Sequence, residues 1–242
     1  MNFLPTLAAQ TLQLTRAHGL LHVQPQALLL QAVLAVRVAH DMPRDVVVKQ
    51  EALGWWRQPS SPARVAAAQV GLVISMDFVR RFPEQLELLG QASRAAATSG
   101  QRRLWAFAQS VQGYLLADLR RFGPSAGCYL GCLRTAWDIG SWREWLYALW
   151  NLPRTLAHGR RPQAAARLMG FADAFHHQRF GTRGWEDARK RRCTQQPVHV
   201  QLGAAREAAL WPEGAQLSMA QAIKLGCAEA QRMAEPAPPA TL

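Results

Sequence analysis

Three pairs of adjacent arginines recur at one interval: Arg80-Arg81, Arg120-Arg121 and Arg160-Arg161, 40 residues apart. A guanidinium is always charged and offers a planar fork of donors that matches a carboxylate or a phosphate. Such pairs in register predict recognition of an anion: an acidic protein or peptide first, the phosphate backbone of a nucleic acid second. The same residues have a plainer use, because arginine at a helix C-terminus answers the negative end of the helix dipole and its free carbonyls. A second basic cluster, Arg189-Lys190-Arg191-Arg192, is a weaker candidate for gripping phosphates; as a solvated loop it would do nothing.

Other chemistry finds little support. His176, His177, Cys193 and His199 are zinc-ligand types, but an adjacent His pair followed by a distant Cys and His is not a usual ligand spacing. Cys128 and Cys132 lie one helical turn apart and read as small core residues, since redox pairs use Cys-x-x-Cys. The 16 acidic residues are scattered, with no Ser-His-Asp or Cys-His grouping. There is no G-x-x-x-x-G-K-[ST] phosphate loop, so ATP hydrolysis is not expected. These readings predict a protein that is not an enzyme and holds no metal or cofactor.

The elements that carry the arginines show the same period. Each pair is followed by a proline, Pro83, Pro124 or Pro162, and then by an apolar–glycine pair: Leu89-Gly90, Leu130-Gly131, Met169-Gly170. Pro43 and Pro5 extend the ladder backwards. Proline fits the first turn of a helix, where its missing N–H is not needed. Each proline therefore opens the second helix of a hairpin. Leu104, Phe107, Ala108, Val111 and Leu115 form an apolar stripe at helical spacing for one first helix. Val65, Ala68, Leu72 and Val79 do so for the repeat before. Ala165, Leu168, Met169, Ala172 and Phe175 mark a second helix. A lone hairpin cannot hide its apolar face, so hairpins stack. The glycine within each second helix predicts a close neighbour.

The fold class expected is thus all-α, a tetratricopeptide-like solenoid of stacked antiparallel hairpins with a C-terminal helical cap. The repeat array occupies 1–178, its first repeat truncated, with hairpins near 24–56, 63–98, 101–137 and 142–177. A linker and two closing helices fill 179–234. The linker runs through Arg192, the first closing helix ends before Pro212, and the second starts at a Ser218/Gln221 capping box. A disordered tail spans 235–242. Stacking would align the arginine pairs along one edge, advancing roughly 20 Å per repeat.

Composition sets the bounds. The chain has 242 residues, 49% hydrophobic and 18% charged, with a net charge of +12. Lys49, Lys190 and Lys224 are its only lysines, so the charge is almost all arginine, as in proteins of arginine- and alanine-rich composition generally. The apolar stretch 27–38 is broken by Gln31 and Arg37 and is shorter than the roughly 18 residues of a membrane span. Gln10, Gln13 and Arg16 interrupt any secretory core. Four cysteines without a disulfide pattern suit a reducing cytoplasm.

Two stretches resemble a known family. Trp150-Asn151-Leu152 and Gly159-Arg160-Arg161-Pro162-Gln163-Ala164-Ala165-Ala166-Arg167-Leu168-Met169-Gly170-Phe171-Ala172-Asp173-Ala174 resemble the last tetratricopeptide-like repeat of bacterial ATPase-type transcriptional regulators. Leu202-Gly203-Ala204-Ala205, Trp211-Pro212-Glu213-Gly214, Leu217-Ser218 and Ala222 resemble the segment that follows those repeats. The similarity covers about 101–230. It implies a sensor or scaffold segment that holds a protein partner, in transcriptional regulation or signalling.

Overall fold

The computed structural model describes residues 3–19, 27–28, 30–32, 42–56, 62–76, 82–181 and 185–235. Among these residues every regular element is helical and there is no strand. The helices are α1 (Phe3–Ala17), α2 (Met42–Trp56), α3 (Pro62–Met76), α4 (Phe82–Thr98), α5 (Arg102–Asp118), α6 (Phe122–Asp138), α7 (Trp142–His158), α8 (Pro162–Phe180), α9 (Trp185–Ala215) and α10 (Met219–Ala234). From α2 to α8 a new helix begins every 20 residues, so a hairpin recurs every 40. The fold is an all-α repeat of antiparallel helical hairpins. Pro5, Pro43, Pro83, Pro124 and Pro162 all fall in the first turn of a helix, where their missing N–H is harmless.

The turns are as regular as the helices. At each of four helix ends the N–H three residues past the end closes back on a carbonyl five residues upstream: Gln101 to Ala96, Arg121 to Leu116, Ser141 to Ala136 and Arg161 to Leu156. An inner bond accompanies each, Gly100 to Ala97, Arg120 to Ala117, Gly140 to Trp137 and Arg160 to Ala157. This is the Schellman pattern, which needs a left-handed residue at its centre. Gly100 (φ 67°) and Gly140 (φ 66°) take that role after second helices, while Arg120 (φ 58°) and Arg160 (φ 60°) take it after first helices.

The chain divides into two compact units, Met1–Leu104 and Trp105–Leu242. In the first, Leu12, Ala27, Leu28 and Ala52 form a small buried cluster with Val48 against it. Gln85 reaches the Val73 carbonyl (3.1 Å) and Gln69 the Gln91 side chain (2.8 Å), joining α3 to α4. The hairpin expected over 24–56 lies mostly outside the described residues before α2, as do Arg80, Arg81 and 236–242.

The second unit holds a larger core. Tyr129, Leu133, Trp145, Leu149, Leu152, Leu156 and Leu168 are buried at its centre. The Ser125 hydroxyl donates to the Gly113 carbonyl (2.7 Å) and lies 2.9 Å from the Thr155 hydroxyl, tying α5, α6 and α7 together in the interior. Glycine lets the closing segment approach. A Cβ on Gly170 would collide with the Trp211 carbonyl, and one on Gly214 with the Arg167 carbonyl, so α8 and α9 touch backbone to backbone. The other two glycines of the ladder differ. Gly131 faces the Trp105 ring, and Gly90 has, among the described residues, only Arg94 of its own helix nearby.

The closing segment corrects the expected linker. Residues 185–192 are helical, and after a non-helical break at Gly203 (φ 73°, ψ 161°) α9 is helical again past Pro212 to Ala215. Arginine, lysine, glutamate and alanine are good helix formers, so a charge run next to a packed surface need not be a loop. The capping box at Ser218 is present: its hydroxyl accepts from the Gln221 N–H while the Gln221 side chain takes the Ser218 N–H. From there α10 folds back across α6, α7 and α8. Gly226 meets Leu133, Leu149 and Leu152, and Glu229 pairs with Arg161 at 2.9 Å.

Candidate interaction surface

Two groups of side chains in the second unit combine exposure with organised chemistry. The first lies on the face shared by α5 and α7. Phe107 meets Tyr147 edge to face, with centroids 5.7 Å apart. Two helical turns further along, the Arg154 guanidinium lies 6.0 Å from the centre of the Tyr114 ring. Each contact joins positions 40 residues apart, so equivalent residues of successive first helices stand side by side. Phe107, Tyr114, Tyr147 and Arg154 are all half-buried. Arg154 is held by Asp118 at 2.5 Å. Burial works against its charge, but the Asp118 carboxylate outweighs it and raises its pKa. Asn151 donates to the Tyr147 carbonyl at 2.7 Å and stiffens the same stretch of α7. Beneath this face the Tyr129 phenol is wholly buried, which pushes its pKa well up.

The second group is the edge formed by the α5–α6 and α7–α8 turns. Phe122 stacks on His158 with centroids 4.8 Å apart and planes 11° apart, which makes the two turns neighbours. Arg120, Arg121 and Arg160 are exposed on this edge. Arg161 is instead half-buried and paired with Glu229 of α10. The arginine ladder thus splits: its fourth described member anchors the closing helix, and the other three face solvent. His158 has a lowered pKa, from partial burial first and then from Arg154 and Arg120.

The weaker candidates divide similarly. The backbone of Arg189-Lys190-Arg191-Arg192 is helical, and nothing is described for the side chains of the first two. Arg191 is committed to the fold, bonded to Asp173 (2.8 Å) and Gln195 (2.8 Å) and placed 5.0 Å from the Trp211 ring. Arg192 is exposed. His176 is buried between Trp150 and Phe180, His177 is exposed, and His199 pairs with Glu207. Among the described residues no three His, Cys, Asp or Glu side chains gather as metal ligands. Burial pushes the Cys128 thiol up to about 11 and raises Cys132 further. Among the described residues no helix is long and apolar enough to cross a membrane.

The α5/α7 face escaped the sequence reading, which took Phe107 for core. The signal was there: residues 107 and 147, and 114 and 154, are equivalent under the 40-residue period.

No family model and no curated protein matches the chain. A solved structure does. The chain is similar to BtubC (BKLC) from P. vanneervenii, with a TM-score of 0.62 and 15% sequence identity, over 99% of this chain and 95% of that one. At that identity the likeness shows the fold: two chains of similar length share one helical-repeat architecture nearly end to end.

Proposed function

We propose that this protein is a non-enzymatic helical-repeat module that binds a protein or peptide on the α5/α7 face, with a preference for acidic partners. One observation carries this: repeat-equivalent side chains, Phe107 with Tyr147 and Tyr114 with Arg154, align into a half-exposed aromatic surface bearing a guanidinium. Aromatic residues and arginine are the residue types that dominate binding hot spots. The net charge of +12 supplies the bias toward acidic partners. A bacterial, cytoplasmic role in transcriptional regulation or signalling is supported by the sequence resemblance described above and by nothing else.

The test is capture of partners from host lysate treated with nuclease, comparing wild type with Tyr114→Ala/Tyr147→Ala. A discrete partner that survives nuclease and falls about thirtyfold in the variant, from loss of two contacts near 1 kcal/mol each, is the expected result. Equal capture by both chains of equal helicity would overturn the reading. The charge favours one alternative, nucleic-acid binding through the arginine edge. That reading requires recovery that collapses with nuclease and an affinity that falls steeply with salt.

A further inference from the structure

Among the described residues four equivalent turns need a left-handed residue, and two of them use glycine. Glycine meets that need without steric penalty, whereas a residue with a Cβ is strained there. Arg120 and Arg160 hold the strained conformation at φ 58° and 60°, both after first helices and both exposed. Glycine serves at Gly100 and Gly140, after second helices. The helix-dipole account of the arginines does not explain this, because a flexible arginine one turn earlier would serve the carbonyls equally well without strain.

We infer that the edge carrying Arg120, Arg121 and Arg160 is a preorganised carboxylate-binding site for an acidic segment of a partner protein. The inference rests on the interaction-module reading and names the chemistry of the partner. The Schellman bonds of each turn fix the backbone of Arg120 and Arg160, so each guanidinium projects from a rigid base. The Phe122–His158 stack holds the two turns together. The fold's own carboxylates are spent on other arginines, Asp118 on Arg154 and Glu229 on Arg161 and Arg232. Arg120, Arg121 and Arg160 present three exposed guanidiniums on this edge. A continuous phosphate track would meet only these three cations along the edge, whereas a short run of glutamates or aspartates can match the three forks individually.

The experiment uses the full chain and a fluorescent polyglutamate peptide as the probe. Arg120→Gly/Arg160→Gly is compared with Arg143→Gln/Arg206→Gln, which removes the same charge from exposed positions elsewhere. The first variant is expected to melt a few degrees higher than wild type, since strain is relieved, and to bind the peptide about tenfold or more weakly, because charge-assisted bonds are lost. The second is expected to bind within about twofold of wild type, as distant exposed charges are screened. Unchanged peptide binding in the glycine variant, equal loss in the control, or a lowered melting temperature would each overturn the inference. A single-stranded oligonucleotide that binds more tightly than the peptide and is lost in the same variant would assign the edge to phosphates instead. The Tyr114→Ala/Tyr147→Ala capture assay is independent of these outcomes, so failure of the edge leaves the α5/α7 reading standing and is told apart from its failure.

Discussion

Arg161 and Arg160 are neighbours in sequence and differ in use, one tied to Glu229 and the other turned outward by a left-handed backbone. The same contrast governs the ionisable side chains. His158 has a folded pKa below its ordinary value of 6.5. As pH falls through that value the unfolded chain takes up the proton first, so stability present above it is lost on acidification. Melting temperatures on either side of pH 6.5 should therefore fall less in His158→Phe, which keeps the ring stack and cannot titrate. The cysteines should order themselves by burial. Cys193 is exposed and Cys227 intermediate, while Cys132 is buried and Cys128 has its thiol pushed up to about 11. Only the thiolate reacts. Mass spectrometry after brief alkylation at neutral pH should show Cys193 modified first, and Cys128 and Cys132 only on unfolding.

The elements gain their definition from packing more than from propensity. Helix α9 contains Pro197 and Pro212 and is broken at Gly203, yet the stretch after the break is helical to Ala215, where it lies on α8. Gly170→Ala should destabilise the protein by about 3 kcal/mol, the upper range for overpacking, because the obstacle is the Trp211 backbone and cannot rotate away. Denaturant titration would show it as a lowered midpoint. Helix α10 begins with a complete capping box, so Ser218→Ala should cost about 1 kcal/mol in the same assay. Both the linker mistake and the missed α5/α7 face arise at this scale. A run such as Ala188-Arg189-Lys190-Arg191-Arg192 suits a helix or a solvated loop equally, and only the Asp173 and Trp211 side chains waiting for Arg191 decide between them.

At the scale of the molecule the repeat is held by few large residues and many small ones. Alanines at positions 106, 126, 136, 148, 157, 165, 166, 172 and 222 are all fully buried. Small side chains let helices approach closely, and the gain comes from dense contact. The deepest cluster draws on α6, α7 and α8 with the closing helices over it. Hydrogen exchange should accordingly be slowest in the amides of α6 to α8, which open only with global unfolding. Faster exchange there than in the exposed stretch around Gly203 would contradict that core.

The all-α class, the 40-residue period, the prolines at helix starts and the Ser218 cap were determined by sequence alone. Each is a local rule: a proline lacks an N–H, a serine caps within one turn, and apolar spacing follows the helix pitch whatever lies beside it. Which arginine would be free was a different matter. Arg120, Arg160 and Arg161 sit in the same local pattern, and their fates depend on a carboxylate 68 residues away in the case of Arg161 and Glu229. The return of α10 across α6 to α8 brings that carboxylate into place, and only the tertiary structure decided it. Helix identity is encoded within a turn or two, while charge pairing and exposure belong to whatever the rest of the chain lays against each helix.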